Sequence, residues 1–570
     1  MERTIPKQLI LIISLLQGFL LLALYKAVEH QVWPHGDSVS LIISYSLSII
    51  LPLMAMLALW SDNHRDLVKW LLVFGGGVTL VAAYIGYQMK PEGLLNTGAM
   101  ITSFAITIGI ASFKALMYVQ QCSRNEKISY SSLFLLSWRN FLVLGLAVIF
   151  VGIFWGILML WAALFKIIGI NFFNEIFTNA WFYFPALSVA GGVAIIIFRN
   201  MSTVLDVIAK LLQALIKYLL PLIILVALLF LAALMFNGLD LLWKTRSGSI
   251  LVLWLLAIVL FFVNTVYQDK SNVIPYSLIV HRFIYAGIAI LPIYCLIAGY
   301  GLYLRIAQYG WTIGRGWGTL ICILLAMFSI GYVWGIVKNR DGWINTLSTV
   351  NVTMSVVVMV LMLLLNSPLL DFRMISVKSQ MGRLEEGKIQ LGNLDISYFR
   401  NNLARPGYLA MQELKTRIKH SNPKITTDID NAYIRRADAV RNIDAVTLKK
   451  LIITSPKAMK IPSSLLDVLL ATVNKRRSHG LRNKHYFLVK KDMDGDGVSE
   501  YIWIEDSRRW GNATLWYTTS QGWKSLRMNH TGRWRDARFK QWIENNDLAV
   551  LPQKWKQLRF GDLIFSAKPE

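Results

Sequence analysis

The sequence predicts a polytopic α-helical membrane protein with about 11 transmembrane helices and a C-terminal α+β extramembrane domain. The 570-residue chain is 55% hydrophobic and only 16% charged, which is more apolar than a soluble protein of this length. Residues 8–368 contain successive apolar runs of about 20 residues, each long enough to cross about 30 Å of hydrocarbon. From about residue 371 the composition is that of a soluble domain. We therefore predict a transmembrane domain (1–369), a mainly helical extramembrane segment (370–480) and a small β-rich subdomain (481–570).

The apolar runs place eleven spans along the chain. The first follows a basic start like that of a signal peptide, but it is long and lacks a small-residue cleavage site, so we interpret it as an uncleaved span. The run at 181–198 is short and the run at 97–118 contains several polar residues, so ten or twelve spans stay open. The predicted spans are 8–25, 41–60, 68–88, 97–118, 140–164, 181–198, 218–237, 249–267, 283–302, 318–337 and 347–367.

The distribution of lysine and arginine between short loops predicts the orientation. With the N-terminus in the cytoplasm, the inside segments hold 15 cations and the outside loops hold 7. Eleven spans then place the C-terminal domain outside, in the periplasm if the cell is a diderm bacterium; an even number of spans would reverse this placement. The outside cations are Lys26, Lys90, Lys166, Lys244, Arg246, Arg305 and Arg315.

Two features of the spans bear on function. Ionisable residues are almost absent from them, which argues against a carrier driven by protons or sodium ions, because such carriers bind the ion near the midplane. Residues 201–217 carry an apolar face with basic ends. This segment is either an interfacial helix on the cytoplasmic face or an extension of the next span before Pro221.

After Pro368 the chain becomes polar and its pattern changes twice. Residues 377–388 and 391–418 have helical periodicity, with breaks at Gly387, Gly392 and Pro406–Gly407, and 463–475 predicts another helix. From His485 onward, short apolar runs separated by turn residues predict a small antiparallel sheet. From Leu370 onward there are 36 basic and 21 acidic residues. This excess indicates either contact with polyanions, for which the membrane location favours lipid over nucleic acid, or simply a solvated basic surface.

Four segments carry a resemblance to a known family. They are GLDLLWKTRSGS (238–249), LYLRIAQYGWTIGR (302–315), SPLLDFRMISVKSQMGRLEEGK (367–388) and LDISYFRNNLARPGYLAMQEL (394–414). Together they resemble signatures of a bacterial multi-pass membrane family of the "domain of unknown function 4153" type, over roughly residues 1–415. The resemblance implies an inner-membrane protein with an extramembrane C-terminal part. It implies no activity and no catalytic residues.

The segment KDMDGDGVSEYIW is the sharpest local motif. Alternating carboxylates followed by glycine form a tight loop whose hard oxygen ligands suit Ca²⁺. Trp503 occupies the position at which a full EF-hand carries glutamate, so the pattern is closer to that of a calcium-binding β-hairpin. The alternative is a metal-free hairpin turn. The predicted site, with a structural calcium ion as the cofactor, comprises Asp492, Asp494, Asp496, Val498 and Glu500.

A second candidate site lies at the outer rim of the membrane. Arginine offers a planar fork that matches phosphate, and a helix start near Thr312 would add main-chain donors. An anionic lipid or glycan headgroup is therefore one prediction. The alternative is a set of cations and aromatics that anchor the spans at the interface. The candidate residues are Trp243, Lys244, Arg246, Arg305, Tyr309, Trp311, Thr312 and Arg315.

Catalytic motifs find little support. There is no HExxH motif and no Gly-x-Ser-x-Gly elbow, and solvated helix surfaces explain Asp371, Asp395 and Glu413 more simply. Asp240 and Glu175 are the rim carboxylates that a membrane transferase could use.

Three functions stay open. The first is an inner-membrane protein that binds or moves an anionic lipid or glycan at the outer membrane–water interface. The second is a non-catalytic envelope sensor or assembly scaffold that acts through its periplasmic domain, and the third is a glycosyl- or phosphotransferase. The expected partners are membrane lipid, an anionic glycolipid and envelope proteins; nucleic acid is not expected.

Overall fold

The structure is a computed structural model that describes residues 4–239, 242, 248–267, 275–433, 444–456, 459–476, 486–505, 512–519, 522–528, 558–560 and 563–565. The chain forms two compact units, Met1–Tyr433 and Ile434–Glu570.

The first unit is a bundle of long apolar helices. Within the described residues eleven segments are long and apolar enough to cross a membrane, which confirms the predicted number of spans. Ten are single helices, and the ninth span, Leu278–Tyr309, consists of Leu278–Ala289 (α10) and Leu291–Tyr309 (α11). The others are Lys7–Glu29 (α1), Ser38–Ala58 (α2), His64–Gln88 (α3), Gly98–Cys122 (α4), Tyr130–Ile167 (α5), Ala180–Asn200 (α7), Ser202–Asn237 (α8), Gly248–Val266 (α9), Ile313–Asn339 (α12) and Ile344–Leu364 (α13); Phe172–Phe177 (α6) is a short helix between α5 and α7.

The structure decides between the two alternatives for the segment 201–217. Residues 202–217 are the first part of α8, which continues without a break through Pro221, so the segment extends a span. An ion pair fixes this extension to α5: Nε of Arg139 donates to Oδ1 of Asp206 at 2.8 Å, and Nη2 donates to Oδ2 at 2.6 Å. A two-pronged arginine–carboxylate pair of this kind fixes orientation as well as distance.

Close helix packing needs small residues, because burial from lipid supplies little hydrophobic driving force. At Gly86 of α3, an added Cβ would lie 2.5 Å from Cα of Val39 in α2. At Gly287 of α10 it would lie 2.4 Å from the Ile224 side chain of α8. Both contacts let neighbouring helix backbones approach each other closely.

The alternation of the spans defines two ends of the bundle. The distal face is the end at which α1, α3, α5, α8, α11 and α13 finish, and the proximal face is the end at which α1 begins. Tyr84, near the end of α3, contacts Asp371 beyond α13, and Asn96 contacts Asn401, so the stretch from Asp371 to Asn401 lies at the distal face.

Four short helices follow the last span: Phe372–Glu385 (α14), Ile396–Asn402 (α15), Ala404–Ile418 (α16) and Pro423–Ala432 (α17). They share a small core that includes Phe399, Leu403 and Met411. The helix α14 ends at Glu385, two residues before Gly387, as predicted. The predicted break at Pro406–Gly407 is wrong, because both residues lie in the first turn of α16; the chain breaks at Ala404, which has a φ of +47°.

The second unit is an α+β fold. Its helices are Ala445–Leu451 (α18) and Ser463–Arg476 (α19), and its strands are Ile452–Ser455 (β1), Tyr486–Lys491 (β2), Glu500–Glu505 (β3), Asn512–Thr519 (β4), Gly522–Met528 (β5), Leu558–Phe560 (β6) and Leu563–Phe565 (β7). Strands β1 to β5 form one sheet in sequence order, and β6 pairs with β7. The sheet is mixed and not purely antiparallel as predicted, because an additional strand, β1, pairs parallel to β2. Leu465, Leu469 and Val473 of α19 join Tyr486, Leu488 and Trp503 of the sheet in one buried core.

Candidate functional site

The turn between α11 and α12, at Gly310–Thr312, is held by one face of α14. Positions i, i+3, i+4 and i+7 of a helix share a face. The side chains that meet this turn occupy that spacing: Ser376, Ser379, Gln380 and Arg383.

These side chains form hydrogen bonds with main-chain N–H and carbonyl groups where α11 ends. The N–H of Trp311 donates to Oγ of Ser379 at 2.9 Å, and Oγ of Ser376 donates to the Trp311 carbonyl at 3.1 Å. Arg383 donates to the carbonyls of Ala307, at 3.1 Å, and Gln308, at 2.6 Å. Carbonyls in the last turn of a helix lack partners within the helix, and a cation placed there also complements the helix dipole. The turn is therefore fixed by α14.

Gly310 is required by this arrangement. Its φ is +71°, in the region that residues with a Cβ rarely adopt. An added Cβ would lie 2.6 Å from Cδ of Arg383 and 2.9 Å from Oγ of Ser379. Both the backbone conformation and the packing therefore disfavour a residue that carries a Cβ.

Arg315 completes the turn from the α12 side. It donates to the Gly310 carbonyl at 2.6 Å, and its guanidinium lies 5.4 Å from the centroid of the Tyr309 ring. Arg305 and Arg383 lie close enough to Arg315 for their positive charges to repel its guanidinium. Across the described residues, neither Arg315 nor Arg383 forms an ion pair with a carboxylate. The turn therefore concentrates positive charge that main-chain carbonyls compensate only in part.

The start of α12 offers fewer main-chain donors than the sequence suggested. Oγ1 of Thr312 accepts from the N–H of Arg315 at 3.4 Å, and the N–H of Ile313 donates to the hydroxyl of Tyr398 at 3.0 Å. Thr312 therefore acts as the N-cap of α12. Arg305, Tyr309, Trp311, Thr312 and Arg315 lie together in this turn and its flanking helix ends. Trp243, Lys244 and Arg246 lie outside the described residues.

A neighbouring cation of the distal face is neutralised. Nζ of Lys90 lies 3.2 Å from Oδ1 of Asp37. Hydrogen bonds from the side chain and main chain of Ser40, and from Lys90, lower the pKa of Asp37 to about 2. Because Asp37 stays ionised at neutral pH, Lys90 contributes little net charge, in contrast to the arginines of the turn.

A buried ion pair lies where α14 begins. Asp371 caps α14 and is 3% exposed, and Arg373 is 6% exposed. The main-chain N, Nε and Nη2 of Arg373 each donate to Asp371 at 2.8 Å, and the hydroxyl of Tyr84 donates to Oδ2 at the same distance. The interpretation of Asp371 as a solvated surface residue is therefore wrong. Four donors occupy the acceptor sites of the Asp371 carboxylate, so its contacts are those of a helix cap and an ion-pair partner.

A small cavity of about 90 Å³ borders this pair. Ser103 of α4, Asn366 and Asn402 contribute polar groups to its lining. Nδ2 of Asn366 also donates to Oγ1 of Thr107 at 2.8 Å, which continues the polar contacts into the bundle. The sequence did not indicate Tyr84, Arg373 or Asn366 as residues of a site. Tyr84 is 287 positions from its partner, and nothing in its local sequence indicates the contact.

The other carboxylates considered for catalysis have structural surroundings. Asp395 caps α15 by accepting from the N–H of Tyr398 at 2.9 Å, and Glu413 pairs with Arg417. Glu175 lies exposed on α6, and Asp240 lies outside the described residues.

The Asp-rich segment forms the loop of the β2–β3 hairpin. One carboxylate oxygen from each of Asp492, Asp494 and Glu500 lies within 4.8 Å of the other two. Glu500 is 7% exposed, and its Oε2 accepts from the N–H of Met493 at 2.7 Å. Oδ1 of Asp496 accepts from the N–H of Val498 at 2.6 Å, and Asp496 is not part of the group of three.

These features define a multi-pass α-helical membrane protein whose distal helices lock the turn between two spans. The chain belongs to the family described as Domain of unknown function (DUF4153), which matches residues 48–414. The match covers the turn, α14, α15 and most of α16. The contacts by which α14 holds the turn, which we call the clamp, therefore lie within the family region. No curated protein and no solved structure matches the chain.

Proposed function

We propose that this protein resides in the inner membrane of a bacterial cell envelope and binds or moves an anionic lipid or glycan at the outer membrane–water interface. The observation that carries the proposal is the cationic turn at the distal face, in which Arg315 and Arg383 donate to main-chain carbonyls and, within the described residues, to no carboxylate. We assign no catalytic step to it.

Three properties of the turn favour a phosphate-bearing headgroup. A guanidinium presents a rigid fork that matches phosphate, and two or three such groups in one place attract a multiply charged anion. The clamp by α14 fixes the turn before a ligand arrives, which lowers the entropic cost of binding. Tyr303 and Tyr309 are exposed on the same stretch of α11, and such rings suit the headgroup layer.

Lipid titration of the delipidated protein in neutral detergent, read by native mass spectrometry, tests the proposal. We expect Arg305→Ala to weaken binding of phosphatidylglycerol about ten-fold, the loss typical of one charge-assisted contact. Lys166→Ala, which removes an exposed cation from the distal end of α5, is the control and should bind as wild type. Equal affinity of wild type and Arg305→Ala would refute the headgroup site.

A non-catalytic scaffold is the second candidate. It is favoured by the second unit, which has its own core and whose strand β5 is largely exposed. Mass spectrometry of the lipids and proteins that remain through a mild-detergent purification separates the two functions. A defined lipid without protein favours the first, whereas stoichiometric proteins that disappear when residues 434–570 are deleted favour the scaffold.

The orientation is proposed from the 15 inside and 7 outside cations. We expect alkaline phosphatase fused after Glu570 to be active and green fluorescent protein at the same position to be dark. The reverse pattern would place the C-terminal unit and the cationic turn in the cytoplasm.

We also propose that the β2–β3 loop holds a structural calcium ion. The convergence of Asp492, Asp494 and Glu500 supports this, because three carboxylates so close together repel one another without a cation. In calorimetry of the whole protein, Ca²⁺ at about 100 times its Kd should stabilise the second unit by about 2.7 kcal/mol relative to chelator. Asp494→Asn should abolish this gain and the exposed control Asp467→Asn should keep it; no calcium effect on the wild type would mean a plain turn.

A further inference from the structure

A second cationic site lies at the opposite end of the bundle. A cavity of about 350 Å³ opens among α4, α5, α9, α12 and α13. Tyr130 begins α5 and Asn264 lies in the last turn of α9, and both of these helix ends belong to the proximal face. The cavity is therefore remote from the turn at Gly310, and its volume is in the range of ligand pockets.

Lys114 of α4 lines this cavity. It lies eight residues before the end of α4 at Cys122, about 12 Å along the helix axis. A lysine at such a depth is costly in a bilayer and marks a functional site by default. Its ammonium group is therefore expected to have an anionic partner.

The described part of the protein supplies no anionic partner for Lys114. The structure records no ion pair for it there, and it is the only charged side chain among the described residues that line the cavity. The polar groups nearby form an uncharged network. The hydroxyl of Tyr332 lies 2.5 Å from Oδ1 of both Asn264 and Asn351, and Nδ2 of Asn351 donates to Oδ1 of Asn264 at 2.8 Å. The cavity therefore carries one uncompensated positive charge beside a fixed amide–hydroxyl cluster.

Apart from four polar side chains, the rest of the lining is apolar, and the cavity opens sideways. These four are Tyr130, Ser137, Thr265 and Ser355. Phe134 and Trp138 of α5 lie along the wall, and their ring centroids are 6.2 Å apart. Phe141 of α5 is 61% exposed and Phe261 of α9 is 52% exposed, so both line the cavity and also reach the outer surface of the bundle. In a membrane this surface faces acyl chains, so a ligand that enters here comes from the bilayer and carries an apolar chain.

We infer that this cavity binds an anionic phospholipid from the leaflet at the proximal face, with Lys114 as counter-ion to the phosphate and the α5 aromatics beside the acyl chain. Basic pockets between spans are known to bind acidic headgroups in this way. The inference does not depend on the headgroup site at the distal turn, because the two sites share no residue.

Photo-crosslinking from inside the cavity tests the inference. A benzoylphenylalanine at position 134, in the full-length protein in nanodiscs, should capture phosphatidylglycerol but little phosphatidylcholine. Lys114→Gln should lower the phosphatidylglycerol adduct about ten-fold, whereas Lys114→Arg should retain most of it. Lys210→Gln, which removes an exposed cation of α8, and Arg305→Ala, at the distal turn, should leave the adduct unchanged.

A second variant guards against misfolding of Lys114→Gln. Ser355→Leu keeps the lysine but fills part of the cavity, so it should also lower the adduct. Equal capture of the two lipids, or an unchanged adduct in Lys114→Gln, would overturn the inference. Inorganic phosphate at 10-fold excess over lipid should not compete; if it abolishes the adduct, the site takes a free anion and the lipid assignment is wrong.

Discussion

The two cationic regions of the transmembrane unit differ in how their charge is compensated. At the distal face, Arg383 and Arg315 donate to the main chain around Gly310, and Arg373 is buried against Asp371. At the proximal end, Lys114 lines an open cavity and, among the described residues, meets no carboxylate. The distal cations therefore hold the protein together as well as presenting charge, whereas the proximal cation adds charge without stabilising the fold. Substitutions at the two ends should have opposite effects on stability.

The largest expected effect is that of Asp371→Asn. The side chains of Asp371 and Arg373 are 2% and 8% exposed, so the substitution leaves a buried guanidinium without its counter-charge. Breaking a buried pair in this way costs about 3–5 kcal/mol. We expect a marked fall in the Tm of the detergent-solubilised protein and a low yield of monodisperse material.

Two further variants control this experiment. Glu385→Gln breaks the exposed pair with Arg417 and should change the Tm little. The double variant Asp371→Asn with Arg373→Gln removes both charges and should recover part of the loss. If Asp371→Asn melts with the wild type, the pair does not secure α14, and the proposed contrast between the ends fails.

The eleven spans were predictable because runs of about 20 apolar residues have few alternatives in a chain. The β2–β3 hairpin was predictable for the same reason, since alternation and turn residues act over short distances. The cationic residues around the turn at Gly310–Thr312 were recognised from arginines beside aromatics, a local pattern. The buried pair was not recognised. Asp371 and Arg373 are two positions apart, and this spacing alone does not indicate burial. Their burial depends on Tyr84, which is far away in the sequence.

The proximal cavity could not be predicted from the sequence for a related reason. Lys114 alone is a single cation near the end of a span, and a count of loop charges treats it as part of the positive-inside bias. Its significance comes from the space around it, which five helices enclose. Similarly, β1 was missed because four residues carry too little periodicity, and only the pairing of Ile452 with Tyr486 identifies them as a strand.

The second prediction concerns the clamp on the distal turn. Gly310→Ala introduces a Cβ at a φ of +71° and within 2.6 Å of Arg383, so it should cost about 1–3 kcal/mol. Gly314→Ala is a matched control, because it lies on α12 four residues away with no atom within 4 Å of an added Cβ. We expect Gly310→Ala to lower the Tm and to expose α14 to limited proteolysis, and Gly314→Ala to do neither. The same behaviour in both variants would mean that α14 does not fix the turn.

The third prediction is a substitution at the proximal end that increases stability. Lys114→Met removes an uncompensated charge from a span and keeps a similar volume, so in neutral detergent it should raise stability by about 1 kcal/mol. Added phosphatidylglycerol should stabilise the wild type more than the variant, so the difference in Tm between the two proteins should become smaller. A lower Tm for Lys114→Met in neutral detergent would show that the lysine has a structural partner, and the two ends would then resemble each other.

The smallest expected effect separates charge from geometry at the distal turn. Arg305→Lys keeps the positive charge but replaces a planar fork by a point charge, so a phosphate held by two parallel hydrogen bonds loses one of them. We expect phosphatidylglycerol affinity to fall about five-fold, nearly as far as in Arg305→Ala, with normal expression and membrane insertion. Lys244→Ala should be milder, because lysine contributes only its charge. The same ranking should appear in any envelope-stress phenotype of a deletion strain. If Arg305→Lys binds like the wild type, positive charge alone is sufficient at the turn, and Arg305 then serves as an interfacial anchor instead of a phosphate ligand.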